Sequence, residues 1–299
     1  MSSTQRVSSR FSRETAVTPD DRVPGRYQAL LSEDWCAPDV PQGGVATVVA
    51  LRAMAAALDA PDQSLRTVTN VFAAPVRSGP VEIDVTILRR GRTLSHLAAT
   101  TRNPGERAGH TAVAVFGGPR PGFEFTDRAA PDVPPPEECP SFRDPLPEGV
   151  QPRTFRYWEH VEGRPALGHA PWEEYEPTTS QRAYWMRFDD PPVLDDGTFD
   201  PFALITLCDT QPGAVGERMG SNVPMWLPPS VDLTVHVFGE PASEWLLSHN
   251  RAHYAGDGYA STEIELWDPE RGLIAYATQL MLFLFPEGPP TPDQVRPPS

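Results

Sequence analysis

The chain has 299 residues, 39% of them hydrophobic, enough to build a core in one large or two modest globular units. A formal charge of −15, uninterrupted by any Lys/Arg stripe, argues against a nucleic-acid partner and points to solubility instead. The three cysteines, Cys36, Cys139 and Cys208, show no CxxC or His-paired spacing, so neither a disulfide framework nor a metal site is expected, and a reducing cytoplasm is the expected compartment.

Residues 1–24 are polar with scattered arginines, lack the apolar core of a secretory signal, and read as a flexible tail. From Pro41, PQGGVATVVALRAMAAALDA places Gly43 and Gly44 just before an Ala/Leu/Val-rich run that predicts a mostly buried helix. A diglycine there lets another backbone or a ligand approach the helix start. Strand-like runs follow: LRTVTNVF, VEIDVTILRRG, TLSHLAATTRN and, after the Asn103-Pro104-Gly105 turn, TAVAVFG. One helix and a meander of strands make an α+β unit over residues 25–118.

Residues 119–180, dense in proline at first, read as a linker. A second unit over 181–285 starts with the alternating run RAYWMRF, continues into FDPFALITLCDTQPGAV as its helix, and ends in four strand-like runs. The last, GLIAYATQLMLFLF, is apolar on both faces, as befits a strand covered on both sides. That makes Gln279 conspicuous within it. Residues 286–299 are Pro-rich and read as a second tail. No run approaches the roughly 20 apolar residues that a membrane helix needs.

The two units repeat one another. SLRTVTNVFAAPVRSGPVEI from Ser64 is echoed by SVDLTVHVFGEPASEWLL from Ser230, and NPGERAGHTAVAVF from Asn103 by DPERGLIAYATQLMLF from Asp268. A period near half the chain means a duplicated domain rather than a solenoid. Aligned in this way, the first copy has Arg66 and Ala112 where the second has Asp232 and Gln279, and polar groups kept in one copy only are candidates for chemistry.

PQGG at Pro41–Gly44, LCDTQPGAV at Leu207–Val215, PPSVDLTVHV at Pro228–Val237, Glu244-Trp245-Leu246-Leu247, ELWD at Glu265–Asp268 and LIAYATQL at Leu273–Leu280 carry a resemblance. In this order they resemble the acyl-CoA thioesterase II (TesB-like) family of the double hotdog superfamily, over residues 26–285. The resemblance implies a continuous sheet built from two tandem helix-plus-antiparallel-sheet units. It implies hydrolysis of an acyl-CoA to free acid and coenzyme A, without a cofactor, by a water held between an Asp, a Thr and a Gln. Carried over, the Asp falls on Asp232, the Gln on Gln279, and the Thr position on His253, where an imidazole replaces the hydroxyl, acts as a stronger base or merely lines the groove.

Asp232 alternates with Thr234 and His236 against an apolar face of Val231, Leu233, Val235 and Val237, so it is either a solvated or capping carboxylate or the catalytic base. Gln279 offers a donor and an acceptor, which suits a water held for attack or a satisfied bridge between strands. Asp209 matches an acid seen in relatives and reads as a helix-to-sheet hydrogen bond or a substrate contact. Gly43 and Gly44 serve packing at the helix start or a substrate contact, and the backbone amides of the equivalent helix in the other copy are an alternative means of polarising the thioester carbonyl as an oxyanion hole. A non-catalytic acyl or acyl-CoA binding protein is the alternative function, and an acyl-thioester hydro-lyase a weaker one, since no D-x-N-P-x-H loop is present. Duplication makes a monomer feasible, and the family suggests a homo-oligomer.

Overall fold

The computed structural model describes residues 8–146, 148, 155–291 and 294–295. A short helix α1 (Arg10–Glu14) and the strands β1 (Thr18–Pro19) and β2 (Arg26–Leu31) precede the long helix α2 (Gly43–Leu58). Four strands complete the first half: β3 (Ser64–Phe72), β4 (Gly79–Arg89), β5 (Leu94–Arg102) and β6 (His110–Gly117). The second half holds β7 (Val161–Leu167), β8 (Gln181–Phe188), two short helices α3 (Ala203–Cys208) and α4 (Gly213–Met219), then β9 (Asp232–Val237), β10 (Leu246–Gly256), β11 (Tyr259–Asp268) and β12 (Gly272–Leu282).

All twelve strands join one sheet in the order β1-β2-β4-β5-β6-β3-β9-β12-β11-β10-β8-β7, every pairing antiparallel. The order reads the same outward from the β3–β9 seam, which is the expected duplication seen in space. Residues facing inward along the seam, such as Val68 and Val235, are fully buried, and the helices pack over them. Helix α2 is buried on nearly every side and reaches α3 as well as β4 and β5.

The ladder also fixes which residues are equivalent. Thr69 and Thr234 face each other across the seam, their hydroxyls 3.0 Å apart, and Thr69 pairs with Val113 as Thr234 pairs with Thr278. The next residue along each outer strand is Ala114 in one half and Gln279 in the other. The first-half counterpart of Gln279 is therefore the buried Ala114 and not Ala112.

Two boundaries expected from composition are corrected. The tail expected over 1–24 is folded from residue 8: Phe11 is 1% exposed and sits edge-on to Trp35 at 5.5 Å and against Phe188 at 5.8 Å. Ser12 there donates to the fully buried Asp200 at 2.7 Å, and Asp200 also pairs with Arg52 of α2, so the segment ties the halves together. Residues 1–7 of that tail lie outside the described residues, as do parts of 286–299. Within the linker expected over 119–180, the first stretch does cross from one half to the other, but Phe142 and Tyr157 pack on the core and β7 adds a strand beyond β8. A single aromatic in a polar stretch carried too little periodicity to reveal this docking. Truncating it as Phe11→Ala should lower the unfolding free energy by about 3 kcal/mol, read from denaturant unfolding.

Candidate active site

Two halves meet around one carboxylate. Asp209 follows α3 directly, and its Oδ2 accepts the Gly44 amide at 2.8 Å from the first turn of α2. Its Oδ1 accepts Gln279 Nε2, projecting from β12, at 2.6 Å. The same Nε2 donates to the Ser230 hydroxyl at 2.6 Å. Asp209 thus binds the helix start of the first half to the central strand of the second.

The local sequence explains the approach. A Cβ on Gly44 would meet Thr206 Cα at 2.7 Å and the Ile205 carbonyl at 2.8 Å, and one on Gly43 would meet the Phe72 ring at 2.9 Å and Asp209 itself at 3.0 Å. Only glycine lets α2 and α3 come this close. Gln42 caps α2 by accepting the Val45 amide at 3.0 Å, and its Nε2 donates to the carbonyls of Thr206 at 2.8 Å and Asp209 at 3.1 Å. Behind Asp209, the buried Gln211 accepts from Thr262 of β11 at 2.9 Å, which pins the loop to the sheet. The Gly44 amide is consequently directed at Asp209.

Burial raises the Asp209 carboxyl to about 6, against the bonds from Gly44, Gln279, Gly43 and Ser230 that favour its charged form. Gln279 has spent both amide hydrogens, and its buried Oε1 has no partner within the protein. The pair presents a base beside an unused acceptor. Both line a cavity of about 840 Å³, as do Ser230 and an aromatic wall that includes Phe72, Phe142, Tyr157, Trp158, Tyr184 and Trp226.

The structure does not bring Asp232 or His253 to this cavity. Thr234 pairs with Thr278, but Ser230 pairs with Met281, so the β9 side holds one extra residue between them. Such a bulge reverses the alternation of side chains. Ser230 therefore turns inward, while Asp232 lies on the opposite face with Thr234 and accepts the Leu280 amide at 2.9 Å. His253 sits at a second register shift, on β10, where it is 53% exposed and 3.3 Å from Glu263 on the outer face. Ser230 was not singled out from sequence because a serine entering a strand reads as turn punctuation.

Comparisons agree with this architecture. Residues 31–117 match the acyl-CoA thioesterase N-terminal domain, and residues 136–283 match the acyl-CoA thioesterase C-terminal domain. A conserved protein of unknown function with a hot dog fold from Alicyclobacillus acidocaldarius is 28% identical, with 94% of this chain and 100% of that one covered and a TM-score of 0.76. An acyl-CoA thioesterase II, TesB2, from Mycobacterium marinum is 21% identical over 93% of this chain and 100% of that one, at a TM-score of 0.70. The tesB protein of Mycobacterium avium subs paratuberculosis is 18% identical over 92% and 98%, at 0.71. Among curated proteins none matches. The fold is a double hotdog, the class built from two helix-wrapping sheets joined edge to edge. This chain belongs to the acyl-CoA thioesterase family, a family of thioester hydrolases. Among its described residues, no helix is long and apolar enough to cross a membrane.

The raised Asp209 carboxyl has a consequence for stability. The folded chain holds this proton to about pH 6, the unfolded chain only to the ordinary value of 3.8. The contribution is therefore fully present below about pH 4 and is lost as pH rises through 6. Melting curves of wild type and Asp209→Asn should move in the variant's favour by up to about 3 kcal/mol between pH 4 and 7.

Proposed function

We propose that the protein hydrolyses an acyl-CoA to the free carboxylic acid and coenzyme A, with Asp209 as the base that activates water. The observation that carries this reading is the raised Asp209 carboxyl beside the partnerless Gln279 Oε1, both facing an aromatic-lined cavity. A water donating one hydrogen to Asp209 and the other to Gln279 Oε1 has its lone pair free for a thioester carbonyl carbon. Ser230 and the Gly44 amide hold Gln279 and Asp209 in that orientation.

As the water attacks, its proton passes to Asp209 and the carbonyl becomes a tetrahedral oxyanion. Collapse expels the thiolate, which takes up a proton, and leaves the acid. A base near 6 is mostly ionised at neutral pH yet basic enough to share a proton in the transition state. Because Ala114 stands where the first half would need Gln279, the duplicated frame carries one such centre among the described residues.

The reading is tested by thiol release from a panel of short, medium, long and aromatic acyl-CoAs. The rate kcat/KM should rise with pH through about 6 as Asp209 loses its proton. Gln279→Ala, which keeps the base but not the water's acceptor, should lower kcat by about 10²-fold or more. An inert wild type across the panel would favour an acyl-CoA binding protein instead.

A further inference from the structure

The cavity holds one cation, and no carboxylate answers it. Among the lining residues Arg182 on β8 alone carries a permanent positive charge, and burial pushes the lining His110 down to about 4, so it stays neutral. Arg182 Nη2 donates to the Thr210 carbonyl at 3.2 Å and Nη1 to the Tyr184 hydroxyl at 3.4 Å. Its Cζ lies 4.3 Å from the centre of the Tyr184 ring. Nε is buried and has no partner. Among the described residues no Asp or Glu pairs with this guanidinium. The acids in this neighbourhood are engaged elsewhere, Glu217 by the His169 amide and imidazole, each at 2.8 Å, and by Thr178, and Glu173 by the Ala170 amide at 2.7 Å.

The surroundings are shaped for this side chain. A Cβ on Gly213, the first residue of α4, would collide with the guanidinium, so the helix begins with the one residue that leaves room. Tyr184, over whose ring the guanidinium lies, is 1% exposed, and Arg182 itself is half-buried in the cavity wall. A half-buried guanidinium with a partnerless Nε and no anion beside it is satisfied by a carboxylate that accepts two parallel N–H bonds. Phosphates of coenzyme A would call for several exposed cations, and among the described residues the cavity lining offers a single half-buried one.

We propose that Arg182 anchors a carboxylate at the far end of a short acyl chain, so that the preferred substrates are monothioesters of dicarboxylic acids. This rests on the hydrolase reading for turnover, not for binding. Thr210, to which Arg182 is bonded, directly follows Asp209, which keeps the anchored chain short.

The test compares two thioesters of equal length, glutaryl-CoA and pentanoyl-CoA, on the full chain. Wild type should favour glutaryl-CoA in kcat/KM by about tenfold or more, Arg182→Met should abolish the preference, and Arg182→Lys should keep part of it. If Arg182→Met melts out of its fold, calorimetry on wild type decides: glutarate binds and pentanoate does not. Equal handling of the two thioesters by wild type overturns the proposal. So does an unchanged ratio in Arg182→Met, or weaker binding of free coenzyme A in that variant without a change in ratio, which would make Arg182 a phosphate contact. Selective binding of glutarate with no turnover of either thioester would sink the hydrolase reading and leave the anchor standing.

Discussion

The structure turns on a single buried carboxylate shared by two halves of a duplicated chain. Asp209 accepts the Gly44 amide from one helix start and the Gln279 amide from the opposite half's central strand. Neither half alone offers this acid enough donors. Burying a carboxylate is unfavourable unless hydrogen bonds accompany it, so the interactions that seat Asp209 are the same ones that register α2 against α3 and both against the sheet. Gly43 and Gly44 follow from that constraint, because any side chain at the helix start would push the two helices apart.

A duplicated frame makes the asymmetry legible in energetic terms. Ala114 keeps the first half's position apolar and packed in the core, while Gln279 in the second half brings a polar side chain to it and leaves its Oε1 without a protein partner. Polar atoms left so in a buried strand are rare, and they mark the place where stability has been exchanged for chemistry. The raised Asp209 carboxyl belongs to the same exchange.

Much of this was readable from residues alone. Two copies of a helix and strand meander, the diglycine, and a lone amide in the apolar run LIAYATQLML pointed to the duplicated fold and to Gln279. Asp209 was visible as an acid, but its partners come from residues 165 and 70 positions away, a distance over which local pattern carries no information. The role expected of Asp232 is carried over from the family resemblance; strand alternation holds there, with Asp232 on the face of Thr234, and the bulge exposed by the Ser230–Met281 pairing turns Ser230 inward instead. The eighth residue after the Trp-Leu-Leu start fell on His253 for a related reason, a register shift inside β10. Phe11 was lost in a polar segment whose docking depends on Trp35 and Phe188 meeting it in space.

The central claim is that Asp209, and not the strand acid Asp232, activates the water. Side-by-side thiol-release assays of Asp209→Asn and Asp232→Asn on an acyl-CoA turned over by wild type test it most directly. The account predicts that Asp209→Asn loses about 10²- to 10⁴-fold in kcat while Asp232→Asn, its side chain on the far face of the sheet, stays within a few-fold of wild type. An active Asp209→Asn beside a dead but folded Asp232→Asn would contradict it.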